Sequence, residues 1–328
     1  MLNRRKTLIN SAQAATVLIA FPSILRAQTS NDKAIKIIVP FAPGAGTDAV
    51  GRLVAQKLAD VLGHSVVVDN KTGASGAIGA RFVADAAPDG QTLLLAAAPF
   101  TTVPAAIASA GYDPVRQFAP VGMIASGPLV WAVNKDLPVN NLRELVALAK
   151  SKPGVLNYGS AGAGGINHLV LEMLKNRSGS FITHIPYRGI APATMDMIGG
   201  QIQLVTGTVP ALNPFIKDGR VKALAVTSAK RSPALPDVPG MLEAGYTEFD
   251  VLNYFALMAP KDTPAPVIDR LNAALTKVVA MPDVRARFAT DAIEPATSSP
   301  AQCAAFIDRD FNAWKRVVMA QNLKIDAS

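Results

Sequence analysis

From Ile35 onward the chain alternates short apolar runs with amphipathic stretches. The runs "AIKIIV", "HSVVVDN", "TLLLAA", "APVGMIA", "LVWAVN", "LNYG", "ITHIPY", "QLVTG" and "ALAVTS" have the length of strands. Between them, residues 48–62, 77–86, 142–151, 165–176 and 192–198 place apolar side chains at helical spacing. In the first of these, Val50, Leu53, Val54, Leu58 and Val61 share one face, with the Lys57 stem beside them. Toward the C-terminus, residues 266–280 and 301–321 are the clearest helices. Strand–helix alternation of this kind predicts an α/β protein whose sheets are mostly parallel and covered by helices.

Two stretches interrupt the alternation and read as crossings between lobes. "IASGPLVWAVNKDLP" holds Gly127-Pro128 between two apolar runs, and "EAGYTEFDVLNYFALMAP" joins the middle of the chain to the C-terminal helices. If both cross, residues 28–127 and 251–328 fold together as one lobe and residues 128–250 as the other. A ligand would then lie between the lobes.

Glycine-rich loops sit where strands end. "VPFAPGAGTDAVGR" gives strand, Pro/Gly loop and helix, with Gly44 and Gly46 permitting close backbone approach and Thr47 or Asp48 able to cap the helix. It lacks the third glycine of a dinucleotide fingerprint and the Gly-Lys-Ser/Thr of a phosphate-binding loop. Backbone N–H groups at a helix start suit a smaller anion such as a carboxylate, although a glycine turn without ligand has the same composition. "LNYGSAGAGGINHLVLEML" repeats the arrangement, with Ser160 at the strand end and Gly162, Gly164 and Gly165 in the loop. His168, one turn into its helix, reads as a packing or hydrogen-bonding residue before a ligand contact. In "HIPYRGIAPATMDMIGGQIQLVTGTVPAL", Tyr187 and Arg188 follow a strand, and Asp196 falls in the next helix. Arg188 can pair with a carboxylate or form an ordinary salt bridge. "NKTGASGAIGA" is a further glycine loop before a helix, read as structural.

Composition narrows the function. The chain has 328 residues, 32 Lys and Arg against 24 Asp and Glu. Its start carries "MLNRRKTLIN", an apolar "AATVLIAFPSIL" and "LRA" before Gln28. That is the layout of an export signal over residues 1–27, by either the twin-arginine or the general secretory route. Removing it leaves no basic block, so nucleic acid is not an expected partner. Cys303 is the single cysteine, and His64, His168 and His184 are scattered, so neither a disulfide nor a metal site is expected, nor any cofactor. "QTLLLAAAPFTTVPAAIASAGY" is uncharged, but Pro99, Pro104 and the Thr pair favour a buried strand, a loop and a short helix over a membrane span. No Gly-x-Ser-x-Gly or paired-carboxylate arrangement occurs, and an enzyme is not expected.

Taken together, these motifs resemble the Bug family, the extracytoplasmic solute-binding proteins of tripartite tricarboxylate transporters. The stretches "VVVDNKTGASGAIGA", "APDGQTLL", "YDPVRQFAPVG", "LAVTSAKRSPALPDVPGMLEAGY" and "LMAPKDTPAPVIDRLNAAL" carry the likeness along with the loops above. The resemblance implies a type II periplasmic-binding-protein fold, two α/β lobes joined by two crossing segments. It implies a periplasmic protein that binds a mono-, di- or tricarboxylate, an acidic amino acid or an aromatic acid and delivers it to membrane transporter subunits, as a monomer. Ligand contacts carry over to Phe41 through Asp48, with Gly44, Ala45, Gly46 and Thr47 between them, and to the loop from Ser160 to Gly165; they carry over less firmly to Tyr187, Arg188 and Asp196. The distal pocket falls to residues 98–102 and 206–208, with Pro99, Phe100 and Thr208 as candidates, and Phe100 suggests a partly apolar end. Ala42, Ala45, Gly165 and Tyr254 depart from the family pattern, which puts one hydroxyl contact and the packing at the cleft mouth in question. Two other functions stay open at this point, a ligand-sensing partner of a membrane kinase and an exported hydrolase.

Overall fold

The computed structural model describes residues 33–44, 46–320 and 322; the export signal read over residues 1–27 and the site candidate Ala45 lie outside the described residues. The chain enters through β1 (Ile35–Val39), α1 (Gly46–Leu62), β2 (Val66–Asn70), α2 (Ala77–Ala84), β3 (Thr92–Ala97) and α3 (Pro99–Ala106). A long strand, β4 (Phe118–Asn134), leads to α4 (Leu142–Ser151), β5 (Asn157–Ser160), α5 (Ile166–Ser178), β6 (Thr183–Pro186), α6 (Ile190–Ile198), β7 (Leu204–Thr208), α7 (Val209–Lys217) and β8 (Val221–Val226). The return runs through β9 (Leu252–Pro260), α8 (Ala265–Ala280), α9 (Pro282–Thr290), β10 (Glu294–Pro295) and α10 (Pro300–Ala320).

Two α/β lobes result. In the first, β1 pairs in parallel with β2 and β3; in the second, β5 pairs in parallel with β6 and β7. The inner strands β1 and β3 are apolar on both faces, as helices on either side require. Ile37, Val39, Leu93 and Leu95 pack toward α1 and α8, while Ile38, Leu94 and Ala96 face the opposite way into a core shared with α2, α3 and α10. Gly51 lets α1 settle onto this sheet, since a Cβ there would stand 2.8 Å from Val39 Cγ2.

The centre of the molecule differs from the expectation of mostly parallel sheets. β9 runs antiparallel to both β3 and β4, and β4 antiparallel to β7 and β8. The runs at 119–125 and 129–134 are also not two strands. They are halves of the single 17-residue β4, because Gly127-Pro128 keeps an extended backbone opposite Asn253 and Leu252. From Phe118 to Pro128 this strand bonds β9, and from Leu129 onward it bonds β7 and β8. Gly127 is required there: a Cβ would meet the Ala292 carbonyl oxygen at 2.5 Å. The segment at 252–260, read as a link, is strand β9, and α7 had no forecast. Among the described residues no helix is long and apolar enough to cross a membrane; the uncharged stretch from Gln91 contains β3 and α3.

Candidate functional site

The C-terminal ends of β1, β3, β5, β6 and β7 open on one cleft of about 690 Å³ between the lobes. Six helices begin at its walls. Gly46 and Thr47 start α1, Ala77 starts α2, Pro99 starts α3, Ile166 and Asn167 start α5, Ile190 starts α6, and Thr208 precedes α7. No side chain caps α2, α3, α5, α6 or α7. The contrast is α4, away from the cleft, where Asn141 Oδ1 accepts from the Glu144 N–H at 2.9 Å. Each helix start brings a partial positive charge. Among the described residues, the charged side chains on the walls are Arg81 and Arg188, with no Asp or Glu. The cleft is built for an anion.

The opening loop is held from behind. Asp48 is 2 % exposed, and its carboxylate accepts from Gly44 N–H at 2.9 Å, Arg52 Nε at 2.9 Å and Asn70 Nδ2 at 2.8 Å. Asn70 Nδ2 also donates to the Phe41 carbonyl at 2.9 Å. Burial alone would raise the Asp48 pKa, but the bonds from Arg52, Asn70 and Gly44 outweigh it and hold the carboxyl below its ordinary value. The loop is thereby fixed at both ends by a charge that points away from the ligand space.

The opposing loop rests on a buried aromatic stack. Ser160 Oγ lies 2.6 Å from His184 Nε2 and accepts from the Gly162 N–H at 3.1 Å. The rings of His168 and His184 stack at 3.9 Å, and Tyr158 stacks on His184 at 4.8 Å. His168 Nδ1 accepts from Gly164 N–H at 3.0 Å, so its proton sits on Nε2, toward Glu172 at 3.8 Å. Tyr158 and Lys175 both donate to Glu172 at 2.6 Å. Burial pushes the His168 pKa down to about 4 and that of His184 to about 3. Sequence patterns gave no sign of this Ser–His pair. It braces the loop, because Ser160 is fully buried and off the cleft walls and a histidine of such low basicity takes no proton near neutral pH.

The lobes touch across the cleft. Ser75 Oγ donates to the Ala163 carbonyl at 2.9 Å, and Ser75 has left-handed backbone, φ 53°. Gly162 permits this approach, as a Cβ there would lie 2.4 Å from Ser75 Oγ. A Cβ at Gly46 would likewise meet Thr208 Oγ1 at 2.8 Å.

Of the residues singled out from the sequence, Phe41, Gly46, Thr47, Pro99, Gly162, Tyr187, Arg188 and Thr208 line the cleft. Others stand behind it. Gly44 turns the first loop with φ +80°, Asp48 ties it down, and Ser160 and His168 form the stack. Gly164 lies against Ile107, and Gly165 occupies the position before α5. Asp196 Oδ2 accepts the Tyr187 hydroxyl at 2.8 Å. Phe100 packs with Tyr112 and Phe118 at ring distances of 5.7 and 4.9 Å. Sequence reasoning passed over Ser75, Arg81, Ile107, Asn167 and Asn253, all on the walls. The "NKTGASGAIGA" loop was the available signal, being a third strand–glycine–helix unit that was read as structural.

The model of the tripartite tricarboxylate transporter family receptor matches residues 50–323. The chain belongs to this family. The receptor is 36% identical over 313 residues to Protein BugT of Bordetella pertussis, covering 95% of each chain. It superposes on the R. palustris protein Rpa4515 with adipate with a TM-score of 0.84, at 32% identity, over 89% of this chain and 97% of that one. MatC from Rhodopseudomonas palustris with bound malate gives a TM-score of 0.83 at 30% identity, over 87% of this chain and 98% of the other. These likenesses agree with a two-lobed periplasmic-binding-protein fold for the receptor.

Proposed function

We propose that the receptor is exported to the periplasm, captures a small organic acid in the interlobe cleft and presents it to tripartite tricarboxylate-type transporter subunits in the membrane. One observation carries the reading: among the described residues, six helix starts and two arginines but no acidic side chain line the cleft. A carboxylate held there accepts from backbone N–H groups of the 41–47 and 160–167 loops, with Thr47 and Asn167 beside it. The adipate and malate complexes of its relatives support a carboxylate as the ligand class.

In this reading the lobes divide at 127/128 and 250/251, near the point where β4 exchanges β9 for β7 and β8 as its partner. Residues 1–27 are the export signal, and the mature receptor acts as a monomer. It binds without transforming: the buried Ser160–His184 pair offers neither an accessible nucleophile nor a base. Closure of the lobes, sealed by Ser75 on Ala163, forms the surface that the transporter reads.

A thermal-shift screen of residues 28–328 against mono-, di- and tricarboxylates, acidic amino acids and aromatic acids tests this. A ligand at a hundred times its Kd adds about 2.7 kcal/mol, or roughly 4 °C for a chain of this size. No shift with any carboxylate, from folded ligand-free protein, overturns the reading.

A further inference from the structure

Among the described residues, the long strands β4 and β9 contribute two side chains to the cleft lining, Leu129 and Asn253. Asn253 lies opposite Gly127 where the strands pass between the lobes, and so at the floor of the cleft. It is 4 % exposed, and its Oδ1 accepts from the Ala98 N–H at 3.2 Å, just before α3. That bond fixes the amide, because a flipped side chain would set Nδ2 against the Ala98 N–H, donor to donor. Nδ2 is therefore the free end. No described residue accepts from it, and it is not one of the unpaired polar atoms sealed inside the protein. The space left open to it is the cleft. Asn167, the other deeply buried asparagine of the walls, is spent the opposite way. Its Nδ2 donates to the Thr206 carbonyl, which leaves the acceptor Oδ1 as its free atom. Of the two side chains, Asn253 is the one with a hydrogen to offer an anion.

We infer that Asn253 is a specificity-determining residue whose Nδ2 donates from the cleft floor to an acceptor oxygen of the bound acid. This rests on the carboxylate-binding reading above. It goes beyond that reading by adding a side-chain donor that lies outside the glycine loops, on a strand that joins the lobes. A hydrogen bond to an ionised oxygen is stronger than a neutral one, and exclusion of water strengthens it further. An aliphatic group seated on the floor would leave Nδ2 buried without a partner. That penalty lets the position discriminate between acids of similar size.

The test uses the full mature chain with malate, adipate, citrate, glutamate and benzoate as probes. Magnetic resonance follows the Asn253 side-chain NH2 pair, assigned through its own Cβ, and titration calorimetry gives the Kd. Saturation with a probe that binds is expected to shift this pair. Asn253→Leu, similar in size and unable to donate, is expected to raise the Kd about fivefold or more. Asn253→Asp keeps an acceptor for Ala98 but replaces the donor with a charged oxygen. It is expected to raise the Kd about a hundredfold, and more than Ala191→Asp, which adds the same charge elsewhere on the wall. An NH2 pair that stays still in the saturated wild-type complex overturns the assignment, whether or not the variants fold, and leaves the carboxylate-binding reading intact. So does a smaller rise in Asn253→Leu, or an equal loss in Asn253→Asp and Ala191→Asp. Absence of binding to all five probes overturns the assignment too, and no response in the wider carboxylate screen removes the reading beneath it.

Discussion

Replacing Asp48 with alanine separates a brace from a ligand contact. The carboxylate is 2 % exposed and accepts three donors, so its loss strands groups that the folded loop cannot re-pair. The Arg52 guanidinium is open to water and contributes little to the balance. The bonds from Gly44 N–H and Asn70 Nδ2 are made to a charge at 2.9 and 2.8 Å, and bonds to charged groups are each worth about 1.5 kcal/mol. Asp48→Ala should therefore lose roughly 3 kcal/mol, a fall in Tm of about 5 °C for a chain of some 300 residues. pH supplies an internal check. The folded carboxyl lies below its ordinary pKa, so its contribution is fully present above pH 3.8 and is lost as the pH falls through the folded value. The gap between wild type and variant, followed by circular dichroism melts, should hold steady from pH 8 to 5 and narrow below about pH 4. Ligand affinity should weaken as well, because Phe41, Gly46 and Thr47 lose their fixed geometry. A variant that melts within 2 °C of wild type at pH 7 yet no longer binds would refute the brace and make Asp48 a direct contact.

Ser75→Ala removes the hydrogen bond between lobes and should raise the Kd by about two- to tenfold, the effect of one neutral bond of 0.5–1.5 kcal/mol, with little change in the melting of ligand-free protein; unaltered Kd would mean that closure does not use this contact. The stacked histidines set an acid limit on stability. Both hold folded pKa values below the ordinary 6.5, so the unfolded chain binds more protons and stability, complete above pH 6.5, is lost as the pH falls toward about 4 and 3. Between pH 6.5 and 5 the unfolding free energy from denaturant titration should drop, by up to about 1.4 kcal/mol per pH unit for His168 with less from the more open His184; a flat profile over that window contradicts the assignment.

The strand–loop–helix units at 35–62 and 156–178 were readable because all their signals are local. A short strand run, glycines that permit a tight turn and apolar side chains at 3- and 4-residue spacing lie within one window of sequence. The antiparallel centre was not readable that way. β4 pairs Phe118 with Pro260 and Gly127 with Asn253, and nothing inside either segment records a partner so far along the chain. Gly127-Pro128 looks like a break in sequence, yet in the fold it is where one strand passes between lobes.

The site shows the same division. The sequence by itself determined that glycine loops stand before helices, that the polar groups in those loops are small and mostly uncharged, and that the loops suit a small anion if they hold a ligand. These follow from residue type and spacing. Only the tertiary structure decided that Asp48 faces backward to Arg52 and Asn70, that Ser160 meets His184, and that Ser75 and Arg81 reach the cleft. Backbone conformation is set largely by neighbours along the chain. The direction of a polar side chain is set instead by which distant donor, acceptor or empty space the packed lobes bring beside it.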